Sequence, residues 1–156
     1  MALTGGDVIF SREHDGRVAV LTLSRPDRMN AITWEMRGRV EEHFTTIDRD
    51  GDIQVVVVRG EGDVFSPGGD IPGFMEVEPE DFIDLGRNLT APARSPKPVV
   101  VAIDGFCLGA GLELSMSCDI RLVTRRVGPI PAPPAEPVRS RRASPAQARS
   151  APPVAR

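Results

Sequence analysis

Three short runs constrain this chain more than any other feature: the valines at Val55–Val58, "VVVAI" at Val99–Ile103, and "DIRLVT" at Asp119–Thr124. Successive side chains of a strand point to opposite faces. A run with almost no polar alternation therefore predicts a strand covered on both faces, the setting of the inner strands of a parallel sheet. Between the first two runs lies "PEDFIDLGRNLTA", which has helical character, and before them "TWEMRGRVEEHFTTID" carries Met36, Val40, Phe44 and Ile47 at helical spacing. Thr33 is placed to cap that helix and Glu35 lies in its first turn, giving an amphipathic helix of about four turns. The alternation predicts an α/β fold with parallel strands.

The segment "VIFSREHDGRVAVLTLSR" adds a hairpin at the front, with strand-forming residues at Val18, Val20 and Leu21–Leu23 and a turn signal at Asp15-Gly16. At 156 residues, 40% hydrophobic and 26% charged, the chain has the size and composition of a single soluble globular domain.

Charge divides the chain at Thr124. Residues 1–124 hold 12 basic and 21 acidic residues, whereas residues 125–156 hold 7 basic and one acidic residue together with 8 of the 15 prolines. That second segment has no aromatic residue and no apolar periodicity, so it cannot bury enough surface to offset its ordering entropy. The expectation is an ordered unit over residues 1–124 followed by a disordered Pro/Arg/Ala-rich tail. With 18 arginines in the chain against one lysine, Lys97, the tail has the composition that out-of-frame translation of GC-rich DNA gives. Within it, "PAPPAEP" offers a weak polyproline motif and the arginines a weak nucleic-acid signal; neither a nucleic-acid nor a membrane partner is expected.

Several chemistries are disfavoured by inventory. Cys107 and Cys118, the only cysteines, and His14 and His43, the only histidines, lack metal-site spacing, so no metal is expected and a Ser-His-Asp site is improbable. The opening "MALTGGDVIF" has no basic stretch followed by an apolar one, and no run approaches the ~18 apolar residues of a membrane span. A cytoplasmic location is the expectation.

Two glycine-rich loops follow strands, "GDVFSPGGDI" and "DGFCLGAG", and ligands of such folds bind at strand-end loops. If a helix starts at Gly109–Gly111, Ala110 and Glu113 share a face at i and i+3. Glu113 is either a first-turn acid, complementing the dipole for about 0.3 to 1 kcal/mol, or a working carboxylate. The same stretch puts G-x-G between a strand and a helix, as a dinucleotide-binding turn would, but position 114 is Leu and no acid ends a following strand about 20 residues on. Asp70, after two glycines, reads as a carboxylate that shapes its own loop.

The segments "SRPDRMNAI" (Ser24–Ile32), "FSPGGDI" (Phe65–Ile71) and "DGFCLGAGLELSMSCDIRLVT" (Asp104–Thr124) resemble, in this order, the signature segments of the enoyl-CoA hydratase/isomerase, or crotonase, family. The resemblance spans residues 7–124 and corresponds to the N-terminal half of that family, a ββα spiral, here truncated. It implies that the amides of Gly69 and Ala110 form an oxyanion hole for a thioester carbonyl and that Glu113 is one of two acid/base glutamates. It implies further that Arg25, Arg28 and Ala31 lie along coenzyme A, with Gly68, Asp70, Ile71 and Gly109 beside the substrate. Coenzyme A then enters as part of the acyl-CoA substrate, with no separate cofactor. The implied reaction is syn addition of water to a 2-enoyl-CoA. Departures are equally plain: Glu136, the only acid beyond Asp119, does not match the family's second acid, and the segments that build its homotrimer or hexamer have no counterpart. The readings that compete with a hydratase are an inactive truncated fragment and a binding module using the basic tail.

Overall fold

A computed structural model describes residues 5–74 and 85–125. The tail from 126 onward, and much of the helical "PEDFIDLGRNLTA", lie outside the described residues.

The hairpin forms as expected. Strand β1 (Asp7–Glu13) pairs antiparallel with β2 (Val18–Ser24), with Val8 opposite Leu23 and Phe10 opposite Leu21. Both Asp15 and Gly16 adopt positive φ in the connecting turn, the backbone such tight turns require. A 3-10 turn at Pro26–Arg28 leads to α1 (Trp34–Arg49), whose N-cap is Thr33: its Oγ1 accepts a hydrogen bond from the Met36 amide at 3.2 Å. Such a cap satisfies an otherwise orphaned helix donor and contributes about 1 kcal/mol.

Strand β3 (Val55–Gly60) runs parallel to β2, β4 (Val99–Ile103) parallel to β3, and β5 (Ile120–Val123) parallel to β4, so spatial order equals chain order. Short helices α2 (Ile71–Phe74), α3 (Leu85–Leu89) and α4 (Ala91–Arg94) precede β4, and α5 (Gly109–Met116) joins β4 to β5.

Coverage of the strands corrects the expectation of burial on both faces. Only β2 is buried on both. In β3 and β4, Val56, Val58, Val99, Val101 and Ile103 are buried in one cluster with Met36, Val40, Phe44 and Ile47 of α1, Leu89 of α3 and Leu114 of α5. The alternate residues Val55, Val57, Val100 and Ala102 are only half-buried, and every residue of β5 is exposed. The apolar helix residues gather on a single face of the sheet. On the other, a groove of about 490 Å³ opens between Thr22, Arg59, Ala102 and Leu122. The exposed Ile120, Leu122 and Val123 are apolar residues of the kind a sheet normally buries.

Candidate active site

The two glycine loops emerge side by side from β3 and β4 and are zipped together by backbone hydrogen bonds. The Phe65 amide donates to Asp104 O at 2.7 Å, Ser66 to Phe106 O at 2.8 Å, and Leu108 to Ser66 O at 3.1 Å. A third segment joins them: the Ile32 amide donates to Gly68 O at 2.8 Å and the Asp70 amide to Ile32 O at 2.9 Å.

This geometry aims the Gly69 amide. In a trans peptide the C=O and N–H point opposite ways. Because Gly68 O faces Ile32, the Gly69 N–H of the same peptide faces away from it. Ala110 is the second residue of α5, where helical amides have no intrahelical acceptor. Among the described residues, neither the Gly69 nor the Ala110 amide has a hydrogen-bond acceptor.

The close approach of the two loops depends on two glycines. Gly68 has φ +125, and a methyl group added there would lie 3.3 Å from Leu108 O and 3.7 Å from the Ala110 nitrogen. At Gly111 an added methyl would lie 2.8 Å from Ser66 Cβ and 3.0 Å from Ser66 O. Any side chain at 111 would push α5 off the first loop. Ser66 is fully buried and its Oγ accepts the Gly68 amide at 3.2 Å, which fixes the loop from inside.

Glu113 is exposed and follows the first turn of α5, which contains no acidic residue. The dipole-complementing alternative therefore loses its geometric basis, since that effect fades within the first turn. Glu113 has instead a charge neighbour that sequence did not suggest. Arg37 of α1 is 3% exposed; burial pulls its guanidinium pKa down, and the Glu113 charge opposes that pull.

The remaining residues separate into two groups. Arg28, Ile71 and Gly109 are exposed and Ala31 is half-buried, so these stay open to a ligand. Arg25, by contrast, is 8% exposed, and its Nη1 lies 3.2 Å from Asp70 Oδ1. The guanidinium thus faces a carboxylate of the same chain, where the resemblance implies a phosphate. The charge partner of Asp70 is therefore Arg25.

Sequence reasoning passed over Asn30, Ser66 and Gly111. Asn30 is 1% exposed; its Oδ1 accepts the Arg25 amide at 2.9 Å, and its Nδ2 donates to Glu61 O at 2.9 Å and Val64 O at 2.7 Å. The available signal was an Asn inside a turn-rich segment, a residue type suited to positive φ. Cys107, half-buried beside Ser66, and the buried Cys118 are free thiols. Burial raises the pKa of both, that of Cys118 to about 12. Among the described residues there is no group of three or more potential metal ligands, and no helix is long and apolar enough to cross a membrane.

Comparison with known proteins identifies the family and the fold. Residues 13–127 fit the family model described as enoyl-CoA hydratase/isomerase. A probable enoyl-CoA hydratase of Mycobacterium bovis is 41% identical over 111 residues, which are 67% of this chain and 43% of that protein. A short-chain-enoyl-CoA hydratase of Clostridium acetobutylicum is 34% identical over 72% of this chain and 45% of its own length. Among solved structures, an enoyl-CoA hydratase/carnithine racemase from Magnetospirillum magneticum superposes with a TM-score of 0.68 at 41% identity, covering 74% of this chain and 45% of that one. The chain thus spans less than half the length of these relatives. Its two zipped glycine loops, its parallel β2–β5 order and these likenesses together place the chain in the enoyl-CoA hydratase/isomerase family, corresponding to its N-terminal portion.

Proposed function

We propose that the chain binds acyl-CoA thioesters and contributes to hydration of a 2-enoyl-CoA. The observation that carries this reading is the pair of acceptor-free amides, Gly69 and Ala110, on two loops that are zipped together. Addition of water at the β-carbon drives negative charge onto the thioester oxygen. Two amides directed at that oxygen stabilise the developing enolate, each typically by about 3 kcal/mol. Glu113, one helical turn past Ala110, is the acid/base candidate that handles a proton of the water or the substrate. Arg28 is the exposed cation left for the phosphates of coenzyme A, with Ala31, Ile71 and Gly109 along the path of the ligand. Coenzyme A is part of the substrate in this reading, no further cofactor is required, and the reaction belongs in the cytoplasm.

One observation favours a weaker second reading, in which the chain binds thioesters but turns them over slowly. Glu113 and the whole of β5 are exposed, so the acid stands in water rather than in a closed site. On that reading crotonyl-CoA is hydrated at least about 10³-fold more slowly than by a full-length relative, because the acid/base works in water rather than in a closed site.

Titration of the isotopically labelled chain with acetoacetyl-CoA tests the proposal. The Gly69 and Ala110 amide signals should shift, and NAD should leave them unmoved. An equal or larger shift with NAD refutes the thioester reading.

A further inference from the structure

The Arg25–Asp70 pair is costly to bury, and its position gives the cost a use. Arg25 is 8% exposed, the Asp70 side chain 13%, and their nearest N···O distance is 3.2 Å. Arg25 Nε and Nη1 are buried without a hydrogen bond, so the pair is held together chiefly by charge. Replacing such a pair by apolar residues is often neutral or stabilising; stability alone does not account for it.

The backbone around Arg25 is closely specified. Its amide donates to Asn30 Oδ1 at 2.9 Å, and its carbonyl accepts the Arg28 amide at 3.0 Å and the Asn30 amide at 2.9 Å. Gly6 closes over the side chain: a methyl group there would lie 2.8 Å from Arg25 Cδ. The guanidinium is thus a fixed charge, and Asp70 immediately follows Gly69. Two ladder bonds, from Ile32 to Gly68 and from Asp70 to Ile32, flank the Gly69 peptide, and the ion pair anchors the residue next to it.

We propose that Arg25 is a positioning residue: by holding Asp70 it fixes the Gly68–Gly69 peptide plane, so that the Gly69 N–H stays directed toward the thioester carbonyl. This rests on the reading of Gly69 and Ala110 as an oxyanion hole. A phosphate contact by Arg25 is the competing role, and the two predict different losses.

The test uses the whole 156-residue chain and the variants Arg25→Met, Arg25→Lys and Asp70→Asn. In Arg25→Met and Asp70→Asn, hydrogen exchange at the Ile32 and Asp70 amides should accelerate at least tenfold, while the β2 and β3 strand amides keep their protection. Butyryl-CoA carrying ¹³C at the thioester carbonyl should show a bound-state shift in the parent chain. Arg25→Met should lose at least half of that shift, Arg25→Lys should recover part of it, and affinity for free coenzyme A should stay within twofold. Unchanged exchange in both Arg25→Met and Asp70→Asn overturns the positioning role. So does a parallel loss of affinity for free coenzyme A with the carbonyl shift intact, which identifies a phosphate contact. Absence of any carbonyl shift in the parent refutes the oxyanion reading instead, and exchange then judges the clamp by itself. Should Arg25→Met fail to fold, Asp70→Asn decides, since it keeps the side-chain shape.

Discussion

Replacing Asn30 by alanine should destabilise this chain more than a truncation of one small side chain ordinarily does. Asn30 is 1% exposed, has φ +62, and makes three side-chain hydrogen bonds, to the Arg25 amide and to the Glu61 and Val64 carbonyls. Each bond contributes about 1 kcal/mol net, and a buried donor left without an acceptor adds a desolvation cost. Alanine in the left-handed region costs a further ~1 to 2 kcal/mol, for a total of about 4 kcal/mol. Asn30→Gly removes the same bonds and relieves the dihedral strain at some cost in chain entropy, so it should be about 1 kcal/mol milder. Trp34, the only tryptophan, lies at the start of α1 close by in sequence and reports urea unfolding. With a slope of about 1 to 3 kcal/mol/M, the alanine variant should lose on the order of 2 M in midpoint at unchanged slope. If both variants cost under about 1 kcal/mol, the side-chain bonds do not hold this turn; if alanine proves no worse than glycine, the dihedral does not.

Two further outcomes follow from charged and titratable groups. In a chain extended to the length of its relatives, Glu113→Gln should lower hydration of crotonyl-CoA by about 10² or more with stability nearly intact; an unchanged rate removes Glu113 from the chemistry. The buried Cys118 thiol has its pKa raised, mainly by desolvation, from 9.0 to about 12. A group whose folded pKa is raised keeps its full contribution below the unfolded value and loses it as pH climbs through the folded one. Stability should therefore fall between about pH 9 and 12, by at most about 1.4 kcal/mol per pH unit from this group. Urea midpoints of the parent and Cys118→Ala across that range check this, and parallel pH slopes in the two would count against it.

What could be read in advance was local. Thr33 caps α1 because a β-region threonine before an amphipathic run has few other uses, and Asp15-Gly16 turns the hairpin because it tolerates positive φ. The valine runs reported strands and their parallel pairing, but not their coverage, since a side chain's identity does not say whether a neighbouring layer is present. The site was legible as two glycine loops and a carboxylate. Its supports were not. Arg25 precedes a proline in a polar turn and reads as a surface charge; only the fold brings Asp70 against it. Arg37 sits two residues from Arg39 on one helix, yet Arg37 is buried and Arg39 exposed, a difference set by which face α1 turns to the core.

The same contrast explains why the two halves of the candidate site are built so differently here. The amide donors owe their placement to contacts wholly inside the described residues: the zipper between 65–68 and 104–108, the Ile32 ladder, the Asn30 bonds and the Arg25–Asp70 pair. Glu113 is on the outer side of α5, near the exposed Leu112 and Met116 and before a strand whose Ile120, Leu122 and Val123 are also exposed. Among the described residues, no layer covers Glu113 or the strand that follows it. The relatives are more than twice as long as the portion they share with this chain, and the open face of β5 lies where that shared portion ends. An oxyanion hole preorganised by one half of a protein and an acid that matures only when another layer covers it would make carbonyl polarisation separable from turnover. On the proposed function, the expected outcome for this chain is a shifted carbonyl of bound thioester with little hydration, and turnover at the rate of a full-length relative would refute that division of labour.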